Sequence, residues 1–275
     1  MESSHGPTIV LETARARALV HPAAGGRVGS LVVGDLEMLI GDGRTRLEWG
    51  IYPMAPWAGR TRDARFTFGG VERTLPATMP PHAIHGTVLD REWVAAEVAR
   101  DACLLETDLG PDWPFAGTAT HRIELEDAAD GAVLRLALTV ATSDAAMPAV
   151  VGWHPWFPRT LVRGGPVQLA FDAGSMYEAE GGLPTGRLVQ PGPGPWDDTF
   201  TDIRGTMEVR WPGAARIGIE TSCDHVVVYD RAPQGVCVEP QTGPPDALNL
   251  RSATIVTPGR PLTATVAFHV RAGGD

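Results

Sequence analysis

The sequence predicts an all-β protein built from antiparallel strands, and three observations support this. Short segments throughout the chain alternate apolar and polar residues at period two or form brief apolar runs, as strands do. The 32 glycines and 24 prolines are scattered between these segments, which is the pattern of many turns. No segment shows a strong helical periodicity. Many strands without helices between them form an antiparallel sandwich or barrel.

The candidate strands follow one another along the whole chain. They cover residues 27–33, 65–68, 93–99, 103–107, 119–126, 132–141, 167–171, 207–211, 216–220, 225–229, 235–239 and 262–270. No repeat of fixed period is present, which disfavours a propeller. The segment 181–195 is rich in glycine and proline, and we interpret it as an insertion loop. No shift in composition divides the chain, so we predict one domain over residues 1–275.

The composition disfavours several classes of function. A formal net charge of -10 and the absence of lysine argue against binding to a phosphate backbone, which needs clustered cations. The N-terminus lacks a signal-peptide pattern, and no apolar run is long enough to span a membrane. Cys103, Cys223 and Cys237 are odd in number and lack metal-ligand spacing. We therefore expect a cytoplasmic monomer or homodimer with reduced thiols, no metal, and no nucleic-acid or membrane partner.

The most informative segment is the strand that carries Glu239. Period two places Val236 and Val238 on one side of this strand and Cys237 and Glu239 on the other. Pro240 cannot donate to a strand ladder, so we expect the strand to end there, before a shaped Gly/Pro-rich loop. A carboxylate fixed at a rigid strand end is well placed for proton transfer. The alternative is a solvated glutamate.

His154 is the strongest acid–base candidate among the histidines. It follows a strand-like apolar run and lies between Trp153 and Trp156. Burial among aromatic rings disfavours the imidazolium, while a nearby carboxylate restores it, so the imidazole can be poised as an acid near neutral pH. The alternative is a core histidine that hydrogen-bonds the backbone.

A second histidine candidate lies in the segment 80–86. His82 and His85 are three residues apart, a spacing that suits a metal pair only on a helix, and Pro80-Pro81 disfavours a helix. A loop that presents one imidazole fits better, and Gly86 allows a close approach of the backbone. A purely structural histidine is the alternative.

Arg60 and Trp57 form a pair that suits a sugar. The guanidinium offers a planar fork of donors to ligand oxygens, and the indole offers a flat apolar face to ring C–H groups. For Arg60 a structural role is the alternative. For Arg62, Asp63 and Arg65 a surface ion-pair network is the better interpretation.

Asp197 and Asp198 are adjacent carboxylates on an extended segment, so at most one of them faces a given pocket. His225 precedes a valine-rich strand and is interpreted as structural. The chain lacks a Walker-type phosphate loop, a dinucleotide fingerprint and a Gly-x-Ser-x-Gly elbow. No cofactor is indicated.

Taken together, these motifs resemble those of the aldose 1-epimerases, or mutarotases. The similar segments span nearly the whole chain in the family's order: 22–31, 56–66, 80–86, 152–157, 196–200 and 236–249. The resemblance implies a large antiparallel β-sandwich with an open carbohydrate-binding cleft. It also implies a cofactor-free reaction that interconverts the α and β anomers of a free sugar.

The resemblance also implies roles for particular residues. Glu239 matches the family's base and His154 its acid, so that Glu239 takes the C1 hydroxyl proton while His154 protonates the ring oxygen. Arg60, His85 and Asp197 match its sugar-binding residues, with a slip to Asp198 possible. Trp57, Trp153 and Trp156 either stack on the sugar or fill the core, and core packing is the default for each.

Three alternatives remain open from the sequence. A related branch of the family acts on hexose 6-phosphates, which would require further arginines in the cleft. A glycosidase or lyase on a similar sandwich could use Asp197 and Glu239 as paired carboxylates, although this leaves His154 without a role. A non-catalytic carbohydrate-binding protein would keep the cleft but would not accelerate anomer exchange.

Overall fold

The computed structural model of the chain describes residues 6–41 and 45–273 and is nearly all β. The first half contains β1 (Ile9–Glu12), β2 (Ala16–His21), β3 (Arg27–Val33), β4 (Leu36–Glu37), β5 (Ile51–Met54), β6 (Arg60–Thr61), β7 (Arg65–Phe68), β8 (Val71–Thr74), β9 (Ala83–Ile84), β10 (Val94–Val98), β11 (Ala102–Asp108), β12 (Thr118–Ala128) and β13 (Gly131–Ala141). The second half contains β14 (Met147–Ala149), β15 (Gly152–Pro155), β16 (Phe157–Pro158), β17 (Gln168–Glu180), β18 (Leu183–Val189), β19 (Asp197–Trp211), β20 (Ala215–Thr221), β21 (His225–Tyr229), β22 (Gly235–Gln241), β23 (Thr254–Val256) and β24 (Leu262–Ala272).

The helical elements are few and short. One α-helix, α1, covers Ala247–Leu250, and single 3₁₀ turns cover Pro22–Ala24, Arg62–Ala64 and Val88–Asp90. No helix within the described ranges is long and apolar enough to span a membrane. The predicted all-β class is therefore confirmed.

The strands form a β-sandwich around one large apolar core. Antiparallel pairing runs from β10 through β11, β12, β13, β24 and β20 to β19. The long strand β19 then changes partner. Its C-terminal half pairs with β20, whereas residues 197–201 pair with β21, which continues through β22 and β15 to β5. The second run of strands, from β19 to β5, carries the candidate site.

Strand β13 illustrates why these sequences form strands. Leu134, Leu136, Leu138 and Val140 alternate along it and are fully buried, while the residues between them face outward. Burying every second side chain against the core stabilises one register, because a slip by one residue would expose the whole apolar set. The same alternation fixes the register of its neighbours β12 and β24.

Two sequence-based expectations about strand limits are wrong. Strand β22 does not end at Pro240 but continues to Gln241. Pro240 lies opposite Val226 of β21, and Gln241 lies opposite Gly152 of β15. Proline removes one backbone hydrogen-bond donor, but β22 continues because β21 and β15 pair with it on either side. The segment 181–195 is not a plain insertion loop, because it contains β18, which forms a hairpin with β17.

His121 is a fully buried histidine in β12 that holds two parts of the core together. Its Nδ1 donates to the Gly26 carbonyl oxygen at 3.1 Å, and its Nε2 accepts from Trp153 Nε1 at 3.0 Å. This bond fixes Trp153 in the core. Burial lowers the pKa of His121 to about 4, so the imidazole is neutral at physiological pH.

Acid should destabilise the fold through His121. The unfolded imidazole gains a proton near pH 6.5, whereas the folded one stays neutral down to about pH 4. Because the folded-state pKa is the lower one, the stability is complete above pH 6.5 and is lost as the pH falls towards 4. The loss is about 3 kcal/mol. Denaturant unfolding at pH 7 and pH 4 measures it.

The matched variants for this prediction are His121→Gln and His269→Gln. Glutamine does not titrate, so the free energy of unfolding of His121→Gln should fall by about 3 kcal/mol less between the two pH values. His269→Gln removes a partly exposed histidine and leaves His121 in place, so it should keep the large loss of stability between pH 7 and pH 4. An unchanged pH dependence in His121→Gln would contradict the prediction.

Candidate active site

The register of five adjacent strands assembles the floor of a cleft. Residues directly opposite each other on neighbouring strands point to the same face of the sheet. Gly152 lies opposite Gln241 and Phe157 opposite Val236, which places His154 opposite Glu239. The row that contains this pair crosses β5, β15, β22, β21 and β19 and consists of Tyr52, His154, Glu239, Val227 and Thr199.

Two further rows lie on the same face of these strands. The same register produces one row with Trp156, Cys237, Tyr229 and Asp197, and another with Gly152, Gln241, His225 and Thr201. Residues one position away point to the opposite face, where Val236 and Val238 join the main core. The predicted division of the Glu239 strand into two faces is confirmed. Motifs that are far apart in sequence therefore meet on one face.

Glu239 and His154 form a close, buried pair. His154 Nε2 lies 3.3 Å from Glu239 Oε1, and the two residues are only 6% and 3% exposed. Gln241 Nε2 donates to the other carboxylate oxygen of Glu239 at 3.3 Å. The alternative of a solvated glutamate is excluded, because the carboxylate lies inside the cleft and not on the surface.

The electrostatics of the pair favour its neutral form. Burial, with a further contribution from Asp197, raises the pKa of Glu239 well above its ordinary value, and Arg60 opposes this only in part. Burial lowers the pKa of His154 to about 3. The nearby carboxylate therefore does not restore the imidazolium, contrary to the expectation from sequence. Burial therefore favours the arrangement in which the proton shared by the pair is on Glu239 and not on His154.

Aromatic rings hold the His154 imidazole in place. Tyr52 stacks on it with ring centroids 4.8 Å apart, and Trp156 stacks on it at 5.5 Å. Trp156 Nε1 donates to the Leu47 carbonyl oxygen at 2.6 Å, which fixes the indole in the cleft wall. Trp156 lines the cleft, whereas Trp57 and Trp153 belong to the main core.

Arg60 and Asp197 lie next to each other in the cleft. Arg60 Nη2 is 3.7 Å from Asp197 Oδ2, and Arg60 Nη1 donates to the Gly182 carbonyl oxygen at 3.3 Å. Both residues line the cleft. Asp198 does not line it, and its carboxylate lies 3.8 Å from Arg231. Of the two adjacent aspartates, Asp197 is the one that faces the cleft.

Asp246 anchors the loop that presents Arg60, and sequence reasoning did not single it out. It is 3% exposed, and its backbone N–H donates to the Arg60 carbonyl oxygen at 2.7 Å. Its carboxylate accepts from the Arg62 backbone N–H at 2.9 Å and from Asn249 Nδ2 at 2.7 Å. The predicted network among Arg62, Asp63 and Arg65 is wrong, because Arg62 pairs with Asp246 instead.

Replacing Asp246 with alanine should weaken ligand binding by Arg60 more than it changes the proton-transfer pair. The change leaves a backbone N–H and an amide without their acceptor at a buried position, a loss of about 1–3 kcal/mol in stability. It also frees the Arg60 loop, so we expect a raised KM with a smaller change in kcat. For the anomer exchange that the sequence resemblance implies, NMR exchange kinetics over a range of sugar concentrations measure both constants.

Asp246→Asn is the matched control. Asparagine keeps the oxygen acceptor and tolerates the left-handed backbone at this position, where φ is 61°. The KM of this variant should be close to that of the wild type. An Asp246→Ala protein with an unchanged KM would show that Asp246 does not position Arg60.

His85 completes the constellation from a loop, as its sequence context predicts. Its backbone N–H donates to the Gly59 carbonyl oxygen at 3.0 Å, and burial lowers its pKa well below the ordinary value. Gly86 is required by close packing, since a Cβ there would lie 1.9 Å from the Ala55 carbonyl oxygen. His82 points away from the cleft and accepts from the backbone N–H of Asp63 at 3.1 Å.

The cleft has a volume of about 260 Å³, just below the range of drug-sized pockets. It includes residues that sequence reasoning missed: Leu47, Glu48, Tyr52, Tyr177, Thr199, Tyr229 and Gln241. Period two could have identified Thr199 from Asp197 and Gln241 from Glu239. Tyr177 comes from the β17–β18 hairpin, and its hydroxyl lies 3.1 Å from His225 Nε2. His225 supports Tyr177 and does not itself line the cleft.

Comparison with known proteins identifies the family of the chain. A family model described as aldose 1-epimerase matches residues 7–269. The chain belongs to the aldose 1-epimerase family. No curated protein matches the chain.

Solved structures share the fold at low sequence identity. A putative aldose 1-epimerase from Escherichia coli K12 has a TM-score of 0.83 at 19% identity, with 97% of this chain and 99% of that chain covered. A Synechocystis sp. PCC 6803 protein has a TM-score of 0.80 at 21% identity and 98% coverage of both chains. A GalM/aldose epimerase homologue from C. elegans has a TM-score of 0.81 at 15% identity, with coverages of 98% and 99%.

Proposed function

We propose that this protein is an aldose 1-epimerase that interconverts the α and β anomers of a free aldose. The observation that carries the proposal is the 3.3 Å contact between Glu239 and His154 at the floor of a small cleft. Anomerisation requires one group that accepts a proton and another that donates one, both close to C1. A buried carboxylate beside a buried imidazole meets this requirement.

The reaction proceeds by opening and closing the sugar ring. Glu239, as the carboxylate, takes the proton of the C1 hydroxyl while the His154 imidazolium protonates the ring oxygen. The bond between C1 and the ring oxygen breaks, and C1 becomes an aldehyde. Rotation about the C1–C2 bond presents the other carbonyl face, and the reverse proton transfers close the ring. No atom is gained or lost, and the two residues return to their starting protonation states.

The number of protons on the pair fits both halves of this cycle. One proton shared between Glu239 and His154 serves ring opening when it is on the imidazole and ring closure when it is on the carboxyl group. Burial favours the second arrangement. Sugar hydroxyls that donate to Glu239 favour the first, because hydrogen bonds to a carboxylate stabilise its charge. Ring opening therefore depends on the hydroxyls of the bound sugar.

Arg60, His85 and Asp197 would bind and orient the ring. The guanidinium and the imidazole can donate to ring and hydroxyl oxygens, and the aspartate can accept from sugar hydroxyls. Holding the sugar with C1 against Glu239 contributes the positioning part of catalysis. Trp156 and Tyr177 supply apolar faces in the same cleft.

A free sugar is favoured over a sugar phosphate by the charges of the cleft. Arg60 is the single arginine among the described residues that line it, and Asp197 lies 3.7 Å from that guanidinium. Glu48 and Glu239 add further acidic groups. Among the described lining residues, a phosphate dianion would meet more acidic than basic side chains and no cluster of arginines, so the hexose 6-phosphate alternative lacks support.

NMR anomer-exchange spectroscopy tests the proposal with glucose, galactose and glucose 6-phosphate side by side. The expected result is accelerated exchange of at least one free aldose and none of the phosphate. Binding of a sugar without acceleration would indicate a non-catalytic carbohydrate-binding protein. Release of reducing ends from oligosaccharides would indicate a glycosidase. Acceleration of the phosphate alone would support the phosphate branch.

A further inference from the structure

Cys237 lies beside the proposed catalytic pair, and the reaction does not use it. An imidazole nitrogen of His154, the thiol sulfur of Cys237 and a carboxylate oxygen of Glu239 all lie within 4.8 Å of one another. Cys237 is fully buried and does not line the cleft, so it cannot touch a sugar there. It lies two residues before Glu239 on the same face of β22. The thiol therefore lies beside the pair on the same face of the sheet.

We propose that His154, Cys237 and Glu239 form a binding site for Zn²⁺, which inhibits the protein by occupying its proton-transfer groups. Imidazole, thiolate and carboxylate are the three side-chain ligands that zinc uses. Zinc sites with three protein ligands keep a fourth position for water or another exogenous ligand. The fourth position would open to the cleft, because His154 and Glu239 both line it.

The distances suit tetrahedral coordination. Ordinary bond lengths from zinc to nitrogen and oxygen set the ligand atoms roughly 3.3–3.5 Å apart. His154 Nε2 and Glu239 Oε1 are already 3.3 Å apart. Sulfur and nitrogen ligands lie roughly 3.6 Å apart around zinc, and the Cys237 sulfur lies within 4.8 Å of the other two ligand atoms, so it needs a shift of at most about 1.2 Å. The backbone register already supplies the three ligands on neighbouring positions.

The ligand set discriminates between metals. One carboxylate with a thiol and an imidazole suits zinc or cobalt, whereas magnesium and calcium prefer sites built from oxygen. The site lacks one feature of a dedicated metal centre. His154 Nδ1 has no hydrogen-bond partner among the residues that the structure describes, and such partners typically add 10- to 100-fold in affinity. We therefore expect reversible inhibition and not a permanently held ion.

Direct metal binding tests the site without reference to enzyme activity. Calorimetric titration of the full chain with Zn²⁺ should show one site, and Mg²⁺ should not bind there. Cys237→Ala should weaken Zn²⁺ binding at least about 10-fold, because zinc then has two protein ligands. Cys103→Ala is the matched control, since Cys103 is an equally buried free thiol in β11. It should bind Zn²⁺ as the wild type does.

Cobalt supplies a spectroscopic readout that identifies the thiolate. Co²⁺ added to the wild type or to Cys103→Ala should produce a near-ultraviolet thiolate-to-cobalt absorption, which should be absent from Cys237→Ala. A wild type that binds Co²⁺ without this absorption would overturn the inference, even if Cys237→Ala failed to fold. Equal Zn²⁺ affinity in Cys237→Ala and the wild type would also overturn it.

The inhibitory consequence rests on the proposed function and is measured separately. Zn²⁺ should slow anomer exchange in competition with the sugar, and a chelator should restore the rate. Cys237→Ala should keep the uninhibited rate and lose most of its sensitivity to Zn²⁺. If the protein accelerates no sugar, the proposed function fails while the binding experiments still decide the metal site. Undiminished exchange at saturating Zn²⁺ would refute the inhibitory role.

Discussion

Glu239→Gln should lose about 10²- to 10⁴-fold of the catalysed anomer exchange, because the amide cannot take the C1 hydroxyl proton. Glutamine has nearly the same size and keeps an oxygen acceptor for Gln241, which donates to Glu239 at 3.3 Å. Burial already favours the uncharged carboxyl group at this position. Replacing it with a neutral amide should therefore leave thermal stability close to that of the wild type. Loss of rate with an intact fold assigns the effect to chemistry.

The measurement for Glu239→Gln is the exchange rate of the best free aldose, together with a thermal melt. Glu220→Gln is the matched control, since Glu220 is an exposed carboxylate in β20 that lies 3.2 Å from His269. Its exchange rate should equal that of the wild type. If Glu239→Gln kept its rate within a few-fold, Glu239 would not be the base. A sharp drop in its melting temperature would instead indicate a structural role.

Much of the fold is predictable from the sequence, because most strands bury one face only. The predicted strands 27–33 and 65–68 coincide with β3 and β7, and the prediction 132–141 misses one residue of β13. Alternation is a local signal that survives without knowledge of the partner strand.

The strands that build the cleft are harder to predict. All four residues of β5 are buried, and so are all four of β15, because one face packs on the core and the other forms the floor of the cleft. Such strands lose the alternation that marks a half-buried strand. Neither strand is among the candidate strands, although the apolar run before His154 is strand-like. Their pairing places Tyr52 beside His154 across about 100 residues of chain, which no local pattern encodes.

The sequence motifs predict which residues belong to the candidate site, but they do not predict how those residues are arranged in space. Period two from His154 assigns Trp156 to the same face and Trp153 to the opposite one, and the structure places them in the cleft wall and the core. The anchoring role of Asp246 depends on a contact with the Arg60 loop. The pKa of His154 depends on complete burial. These properties follow from packing between distant segments, so sequence spacing alone does not determine them.

Replacing His154 with glutamine should have the second of the two largest effects. The amide cannot protonate the ring oxygen, so we expect kcat to fall by about 10²- to 10⁴-fold. KM should change little, because Arg60, His85 and Asp197 would still bind the ring. His269→Gln is the control, as a partly exposed histidine outside the cleft. A raised KM with an unchanged kcat would assign His154 to binding and not to proton transfer.

The double variant Glu239→Gln/His154→Gln tests whether the two residues act as one unit. Ring opening requires both proton transfers together, so each single change already disables the step. Groups that act together show strongly non-additive losses, and the double variant should be within a few-fold of the slower single variant. Losses that multiply would show that the two residues act independently. In that case the 3.3 Å contact between them would not be a catalytic one.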